Sequence, residues 1–217
     1  MIVPIRFHGK GYDPFSEAGR GGRVAAKGLD TRERILDEAV RLASRDGLEG
    51  LTIGGLAAAL KLSKSGLFAH FGSREALQVA TLERAAERFQ RRLAAGVDSN
   101  ASGPERLRAL LRCSMDWIDD PDLPGGCPIL GACVEFDDRE GAPREALLKL
   151  QRASQARSVA LFASFAAAGR DTEQLAFELR AITLAYHHSA RVLRDPRARA
   201  FAIQALESLL ERAQRPA

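Results

Sequence analysis

Apolar residues recur along most of the chain at the spacing of an α-helix. Ile35, Ala39 and Leu42 lie three to four residues apart, and Gly47 ends the run. This spacing places them on one helical face. Alanine, leucine and arginine are abundant, and no run alternates apolar and polar residues as a strand would. The pattern predicts an all-α protein.

Residues that favour helix N-caps precede most of the predicted helices. Thr52, Ser63 and Ser73 each stand before a short apolar pattern, and their hydroxyls suit the unpaired amides of a first helical turn. Ser102 and Asp171 are followed three residues later by Glu105 and Gln174, as in a capping box. The predicted helices span about 31–46, 53–60, 64–71, 74–95, 103–118, 127–136, 143–168, 172–193 and 196–213.

Glycine-rich and proline-rich breaks divide the chain into three parts. Residues 1–29 contain a Gly-Arg-Gly-Gly-Arg run, five basic and two acidic side chains, and we expect a flexible basic arm. An unstructured tail and an arm that enters a DNA minor groove both fit this composition. Residues 30–77 predict a three-helix N-terminal domain, and residues 78–217 predict a larger C-terminal helical domain.

Two short helices joined by a tight turn stand out at residues 52–71. Their arrangement is typical of a helix-turn-helix, whose second helix enters the DNA major groove. Around the free side of that helix we expect Lys64, Ser65, Leu67 and His70, while Gly66 allows a close approach to DNA. A three-helix cluster within any all-α protein gives the same pattern. An apolar face is predicted for Ile53, Leu56, Leu60, Leu62, Leu67, Phe68 and Phe71.

Charge supports DNA binding only locally. The chain has a net charge of +4, but residues 30–77 hold equal numbers of acidic and basic side chains, so the total says little about a partner. Between Lys61 and Arg74 there is no acidic residue, and Lys64 and His70 lie in this stretch. Positive charge is therefore concentrated on the predicted helix-turn-helix.

The segment 52–71 and the Gly-Ser-Arg-Glu-Ala-Leu that follows resemble the DNA-binding domain of the TetR family of transcriptional regulators. The matching positions are Thr52, Ile53, Ala57, Leu62-Ser63, Gly66, Phe68, His70-Phe71, Arg74-Glu75 and Leu77. Two positions depart from the family pattern. Lys61 replaces the usual turn glycine, so either its backbone is left-handed or the turn differs slightly from that of the family. Phe68 replaces a tyrosine, which removes a hydroxyl that commonly touches phosphate.

The resemblance implies a sequence-specific DNA-binding transcriptional regulator, a ligand-responsive repressor that binds a palindromic operator in double-stranded DNA as a homodimer. It also implies phosphate contacts by Thr52, Ser63, His70 and Arg74, and base-edge contacts by Lys64, Ser65 and Leu67. Gly66 and Phe68 complete the expected DNA-binding surface, with the Phe68 ring packed against the protein.

The same resemblance implies that the C-terminal domain forms the dimer and holds an effector. We expect the last two helices to form the dimer interface. In the alternative interpretation, the apolar residues of these two helices pack only within their own chain. His187 and His188 suit either the effector pocket or the dimer interface. A mostly apolar effector would contact Cys113, Trp117, Cys133, Phe136, Phe162, Phe165 and Tyr186.

Cys127 is a candidate redox residue because it stands at a predicted helix start, where the helix dipole lowers a thiol pKa. A packing role explains it equally well. Cys127 and Cys133 lie on different helical faces, which is unsuited to a metal pair. We expect no metal and no cofactor.

Enzyme motifs are missing from the chain, including Gly-x-Ser-x-Gly, a P-loop and His-Glu-x-x-His. The first residues lack a secretory signal, and no apolar stretch reaches the roughly 18 residues of a membrane span. The cysteines are odd in number, three, with no Cys-x-x-Cys pair, which fits a reducing compartment. We therefore expect a cytoplasmic protein that is not an enzyme. The alternative function is an all-helical protein-interaction module without DNA binding.

Overall fold

A computed structural model describes residues 22–98 and 100–216, with side chains from residue 31 onward. The described residues form nine α-helices and no strand, which confirms the all-α prediction. A single π-helical turn, His188–Val192, continues α8. The helices are α1 Gly22–Asp46, α2 Ile53–Leu60, α3 Lys64–Phe71, α4 Arg74–Ala95, α5 Gly103–Ile118, α6 Pro128–Glu135, α7 Ala142–Ala163, α8 Thr172–His187 and α9 Ala198–Gln214.

The chain divides into two compact units, Met1–Arg34 and Ile35–Ala217. In the first unit the structure describes the N-terminal part of α1. The helical backbone begins at Gly22, earlier than the predicted start near residue 31. Residues 22–29 are helical and not part of a flexible arm, since alanine and lysine in this stretch favour helix over the glycines. Residues 1–21 of the predicted arm lie outside the described residues.

Most predicted caps in the second unit are confirmed. Ser73 accepts a hydrogen bond from the Ala76 amide at 3.0 Å, and Ser102 with Glu105 forms a complete capping box at the start of α5. The Asp171 carboxylate accepts hydrogen bonds from two amides of the first turn of α8. These side chains satisfy amides that a helix leaves unpaired.

The end of α8 differs from the sequence prediction of one helix to residue 193. After His187 a backbone hydrogen bond spans five residues instead of four: the Leu193 amide donates to the His188 carbonyl at 3.2 Å. Arg194 then adopts a left-handed backbone with φ of 52°. Pro196 follows, and α9 begins at Ala198 with Arg197 as its cap. A π turn accommodates an extra residue in a helix and is frequent at functional sites.

Three clusters of buried side chains form the core of the second unit. The largest joins α5, α7, α8 and α9, with Phe162 and Leu209 fully buried. A second joins α1 to α4 and extends to Ala132 on α6 and Leu147 on α7. The smallest contains Val40, Ala85, Trp117 and Leu123. The three N-terminal helices therefore share buried apolar surface with helices that the sequence assigns to the C-terminal domain.

Ion pairs join neighbouring helices around these clusters. The Arg84 guanidinium on α4 is 7% exposed and donates two hydrogen bonds to the Asp37 carboxylate on α1, at 2.8 and 2.9 Å. Partial burial acts to raise the pKa of Asp37, but the hydrogen bonds and charges of arginines on α4 outweigh it and lower the pKa. The Tyr186 hydroxyl on α8 donates to the Asp119 carboxylate at the end of α5. Burial and this carboxylate raise the pKa of Tyr186 to about 12.

Candidate nucleic-acid interface

The two short helices of the predicted helix-turn-helix begin at the residues that the sequence indicates. Thr52 Oγ1 accepts a hydrogen bond from the Gly55 amide at 3.0 Å, and Ser63 Oγ accepts one from the Gly66 amide at 3.1 Å. Both residues are exposed. Because a hydroxyl that accepts keeps its own proton, each cap still has a donor for an acceptor outside the protein.

The turn between α2 and α3 depends on Lys61. Its backbone is left-handed, with φ of 55° and ψ of 38°, which is the first of the two alternatives for a residue in place of glycine. This conformation costs a non-glycine residue about 1 kcal/mol. The Leu62 amide donates to the Ala57 carbonyl at 2.9 Å, which closes the end of α2. The turn therefore keeps the helix-turn-helix geometry with a lysine in it.

Helix α3 is attached to the protein by one side of its short length. Leu67 is completely buried in the cluster that joins α1 to α4. Leu67 therefore packs in the core, and its predicted place near base edges is wrong. A helix of eight residues needs such an anchor because it forms few contacts of its own.

Most of the rest of α3 faces outward. Lys64, Ser65, Gly66 and His70 are exposed, and Phe68 is 54% exposed. The prediction that the Phe68 ring packs against the protein is therefore wrong, as is the inclusion of Leu62, 43% exposed, in the buried face. These outward side chains form what we call the α3 surface: Lys64, Ser65, Gly66, Phe68 and His70.

Two glycines shape this surface. A side chain at Gly66 would come within 2.9 Å of Ser63 Oγ, so glycine leaves space for the capping hydroxyl. A side chain at Gly54 would come within 3.4 Å of Lys64 Cε. The stem of Lys64 therefore lies over the first turn of α2. The Lys64 ammonium lies 3.7 Å from the position that a Cβ at Gly54 would take, which places it beside the amino end of α2.

Arg74 has a role that the sequence did not indicate. Its guanidinium donates to the backbone carbonyls of Leu51, at 3.2 Å, and of Glu49. It also pairs with the Glu49 carboxylate at 3.1 Å. Gln78, one turn further along α4, donates to the Leu48 carbonyl at 2.9 Å. Arg74 therefore fixes the α1–α2 loop to α4. A contact with a DNA phosphate would use a guanidinium that already donates to acceptors in this loop.

The predicted effector residues do not come together. Phe162, Phe165 and Tyr186 belong to the largest cluster, whereas Cys133 and Phe136 pack against the cluster around α1 to α4. Trp117 lies in the smallest cluster, and Cys113 is half-buried on α5. The sequence does not indicate which cluster each of these residues joins, because they stand on separate helices whose packing it does not specify. A cavity of about 170 Å³ lies instead between α1 and α2, lined by Arg41, Arg45, Thr52 and neighbouring residues.

Burial changes the expectation for the thiols. Cys127 does stand at the start of α6. Burial nevertheless raises the pKa of the Cys127 thiol, so the expected lowering by the helix dipole is wrong in direction. Burial raises the pKa of Cys113 and Cys133 as well. Within the described part of the chain, no group of three or more His, Cys, Asp and Glu side chains is arranged to hold a metal.

Comparison with known proteins adds to this geometry. Residues 35–81 match the family model for bacterial regulatory proteins of the tetR family. Residues 103–206 match the model for the tetracyclin repressor-like C-terminal domain. The chain belongs to the TetR family.

Solved structures of transcriptional regulators have the same fold. A TetR transcriptional regulator from Chloroflexus aurantiacus is 28% identical, covers 88% of this chain and 100% of its own, and superposes with a TM-score of 0.78. A regulator from Streptomyces coelicolor is 22% identical, covers 86% and 97%, and has a TM-score of 0.75. A Saccharomonospora viridis protein crystallised with choline is 20% identical, covers 84% and 96%, and has a TM-score of 0.70. No curated protein matches the sequence.

TetR regulators are DNA-binding transcription factors and not enzymes, so the chain is a DNA-binding regulator of transcription. The match over residues 35–81 includes the whole helix-turn-helix. In the described residues, no helix is both long and apolar enough to cross a membrane.

Proposed function

We propose that this TetR protein is a ligand-responsive repressor that binds a palindromic operator as a homodimer. The main support for DNA binding is the α3 surface. Lys64, Ser65, Phe68 and His70 are exposed there, while Leu67 fixes the helix to the core. Exposed donors on a short helix suit the major groove, whose base edges present acceptors. As a regulator of bacterial genes, the protein would act in the cytoplasm.

The contacts divide into two groups with different consequences. Thr52, Ser63 and His70 hold phosphates and set the position of the protein on DNA, whereas Lys64 and Ser65 read base edges. Arg74 acts mainly by fixing the α1–α2 loop, because it donates to backbone carbonyls there. Phe68, Gly66 and the stem of Lys64 form the apolar part of the contact.

The dimer forms through α8 and α9. Large apolar side chains are exposed on both helices, with Phe177 63%, Leu184 45% and Phe201 51% exposed. Leu184 follows Phe177 by seven residues, which places the two on one face of α8. A two-fold dimer reads two half-sites one DNA turn apart, about 34 Å.

Sedimentation analysis tests this dimer. Phe177→Asp should convert the dimer to monomer, because a charge would be buried at the centre of the interface. The matched control is Val134→Asp on α6, since Val134 is 76% exposed and lies outside this face. Equal dimerisation of both variants and the wild type would contradict the α8–α9 interface.

The effector binds in the C-terminal domain and is mostly apolar. The cluster with Phe162, Phe165 and Tyr186 is the candidate lining. The choline complex of the Saccharomonospora viridis protein supports small-molecule binding in this fold. Such a ligand acts only if it prefers the arrangement that cannot bind DNA, since equal affinity for both arrangements shifts nothing.

Selection of duplexes from a random library by the purified protein tests the function directly. Recovery of a palindromic sequence, bound with an affinity that falls steeply with salt, is the expected result. Lys64→Ala should weaken binding of that duplex, and Lys149→Ala, an exposed lysine on α7, is the control. If no duplex is enriched at low salt, the alternative of a helical protein-interaction module replaces this proposal.

A further inference from the structure

The loop before α6 is hydrogen-bonded to the last turn of α1. Ser44 is 8% exposed. Its hydroxyl donates to the Gly126 carbonyl at 2.7 Å and accepts from the Gly125 amide at 3.0 Å. A side chain at Gly125 would overlap the Ser44 carbonyl. The missing side chain of Gly125 therefore allows backbone-to-backbone contact between the loop and α1.

The other end of α6 holds the loop that follows α1. The Glu135 carboxylate accepts hydrogen bonds from the Leu48 amide at 3.2 Å and from the Glu49 amide at 2.7 Å, one on each oxygen. A side chain at Gly47, whose φ is +80°, would come within 2.5 Å of the same carboxylate. Glu135 thus binds backbone amides of the loop that follows α1 from another helix.

The Ser44 contact is continuous with the end of α8. Arg191, in the π turn, donates to the Pro124 carbonyl. A side chain at Gly126 would come within 3.1 Å of His187 Nε2 and 3.5 Å of Arg191 Nε. The loop 124–126 therefore lies between the end of α8 on one side and Ser44 of α1 on the other.

The same residues, 44–49, precede the helix-turn-helix. They are followed by Thr52, the cap of α2, and Arg74 and Gln78 fix the loop to α4. Any displacement of α6 must therefore stretch the Ser44 and Glu135 contacts or move residues 44–49. Closely packed interiors transmit such displacements rather than absorb them.

From these contacts we infer that Ser44 and Glu135 are positioning residues that couple the C-terminal domain to the DNA-binding helices. The route runs from the end of α8, through the loop 124–126 and α6, to the carboxyl end of α1. It is separate from α4, which runs without a break from Arg74 in the DNA-binding part to Ala95 in the C-terminal part. This inference rests on the proposed function and specifies how the effector domain communicates with α3.

Coupling is reciprocal, so DNA itself can serve as the probe when the effector is unidentified. The experiment is hydrogen exchange, followed by mass spectrometry, of the full chain with and without the selected duplex. In the wild type we expect the duplex to slow exchange in α3 directly, and to slow it about fivefold or more in residues 124–136 through the coupling.

Glu135→Gln and Ser44→Ala are the test variants. Glutamine keeps the shape of Glu135 but turns an NH₂ group toward an amide donor, and alanine removes both hydrogen bonds of Ser44. Both variants should keep the slowed exchange in α3 and lose it in 124–136. Glu140→Gln, an exposed glutamate in the loop before α7, should behave as the wild type. A general loss of stability would change exchange without the duplex and leave the duplex-dependent difference in place.

The inference is overturned if the duplex slows α3 but leaves 124–136 unchanged in the wild type. It is also overturned if Glu135→Gln and Ser44→Ala keep the wild-type difference in 124–136. If the duplex has no effect on α3 in any protein, the proposed function itself fails and this inference falls with it.

Discussion

Truncating Leu67 separates a core residue from a DNA-contacting one. Leu67 is fully buried, so Leu67→Ala removes buried methyl groups and leaves a cavity. Such changes cost about 3 to 5 kcal/mol. We expect about 3 kcal/mol, because α3 is short and can close part of the space. For a protein of this size, 1 kcal/mol corresponds to about 2–4 °C in Tm, which gives a loss of roughly 6–12 °C.

Lys64→Ala should show the opposite behaviour. Lys64 is exposed, and exposed substitutions change stability by about 0.5 kcal/mol or less. Loss of a base-edge contact should weaken duplex binding by about 1–3 kcal/mol. Calorimetry gives the Tm, and fluorescence anisotropy with the selected duplex gives the Kd, measured well below the Tm of each variant.

Comparing the two variants shows whether Leu67 acts in the protein core or in contact with DNA. Leu67→Ala should lose Tm and largely retain the affinity of the folded protein, whereas Lys64→Ala should retain Tm and lose affinity. A Leu67→Ala protein with wild-type Tm and strongly weakened duplex binding would refute the assignment of Leu67 to the core.

Three further predictions concern titratable groups. Asp37→Asn should lower stability by about 2 kcal/mol at neutral pH, because Arg84 loses a charged acceptor; the pKa of Asp37 is lowered by folding, so the deficit shrinks as pH falls below 3.8. Iodoacetamide should alkylate Cys127 more slowly in the folded than in the unfolded protein, since burial raises the pKa of its thiol. In a Tyr12→Phe background, phenolate absorbance should report a pKa of Tyr186 of about 12, above the ordinary value of about 10.

Each of these predictions has a matched comparison. Asp138→Asn, an exposed aspartate in the loop before α7, should leave urea denaturation unchanged at every pH, and an Asp37→Asn deficit that persists at low pH would contradict the ion-pair argument. Peptide mapping by mass spectrometry distinguishes the three thiols, and fast alkylation of Cys127 would restore its redox role. Ionisation of Tyr186 near the ordinary value in the folded protein would contradict its bond to Asp119.

Local signals in the sequence were sufficient for the helices and most of their caps. Thr52, Ser63 and Ser73 each accept a hydrogen bond from an amide three residues later, so each cap can be predicted from four consecutive residues. The left-handed backbone at Lys61 was one of the two outcomes that the family resemblance implied, and the local sequence did not choose between them. Two helix boundaries differ from the prediction. Helix propensity extends α1 back to Gly22 despite the glycines there, and a π turn replaces the predicted end of α8 after His187.

Helical periodicity and capping act between near neighbours in the chain, so they were enough to predict the two short helices at 53–71 and the local positive charge there. The packing of distant segments fixed the rest: Leu67 faces inward, Arg74 holds the α1–α2 loop, and the predicted effector residues other than Cys113 lie in three clusters. It also decided that Ser44 meets Gly126 and Glu135 meets the Leu48 and Glu49 amides. Those contacts join residues more than 80 positions apart, and their partners are fixed by how the helices pack.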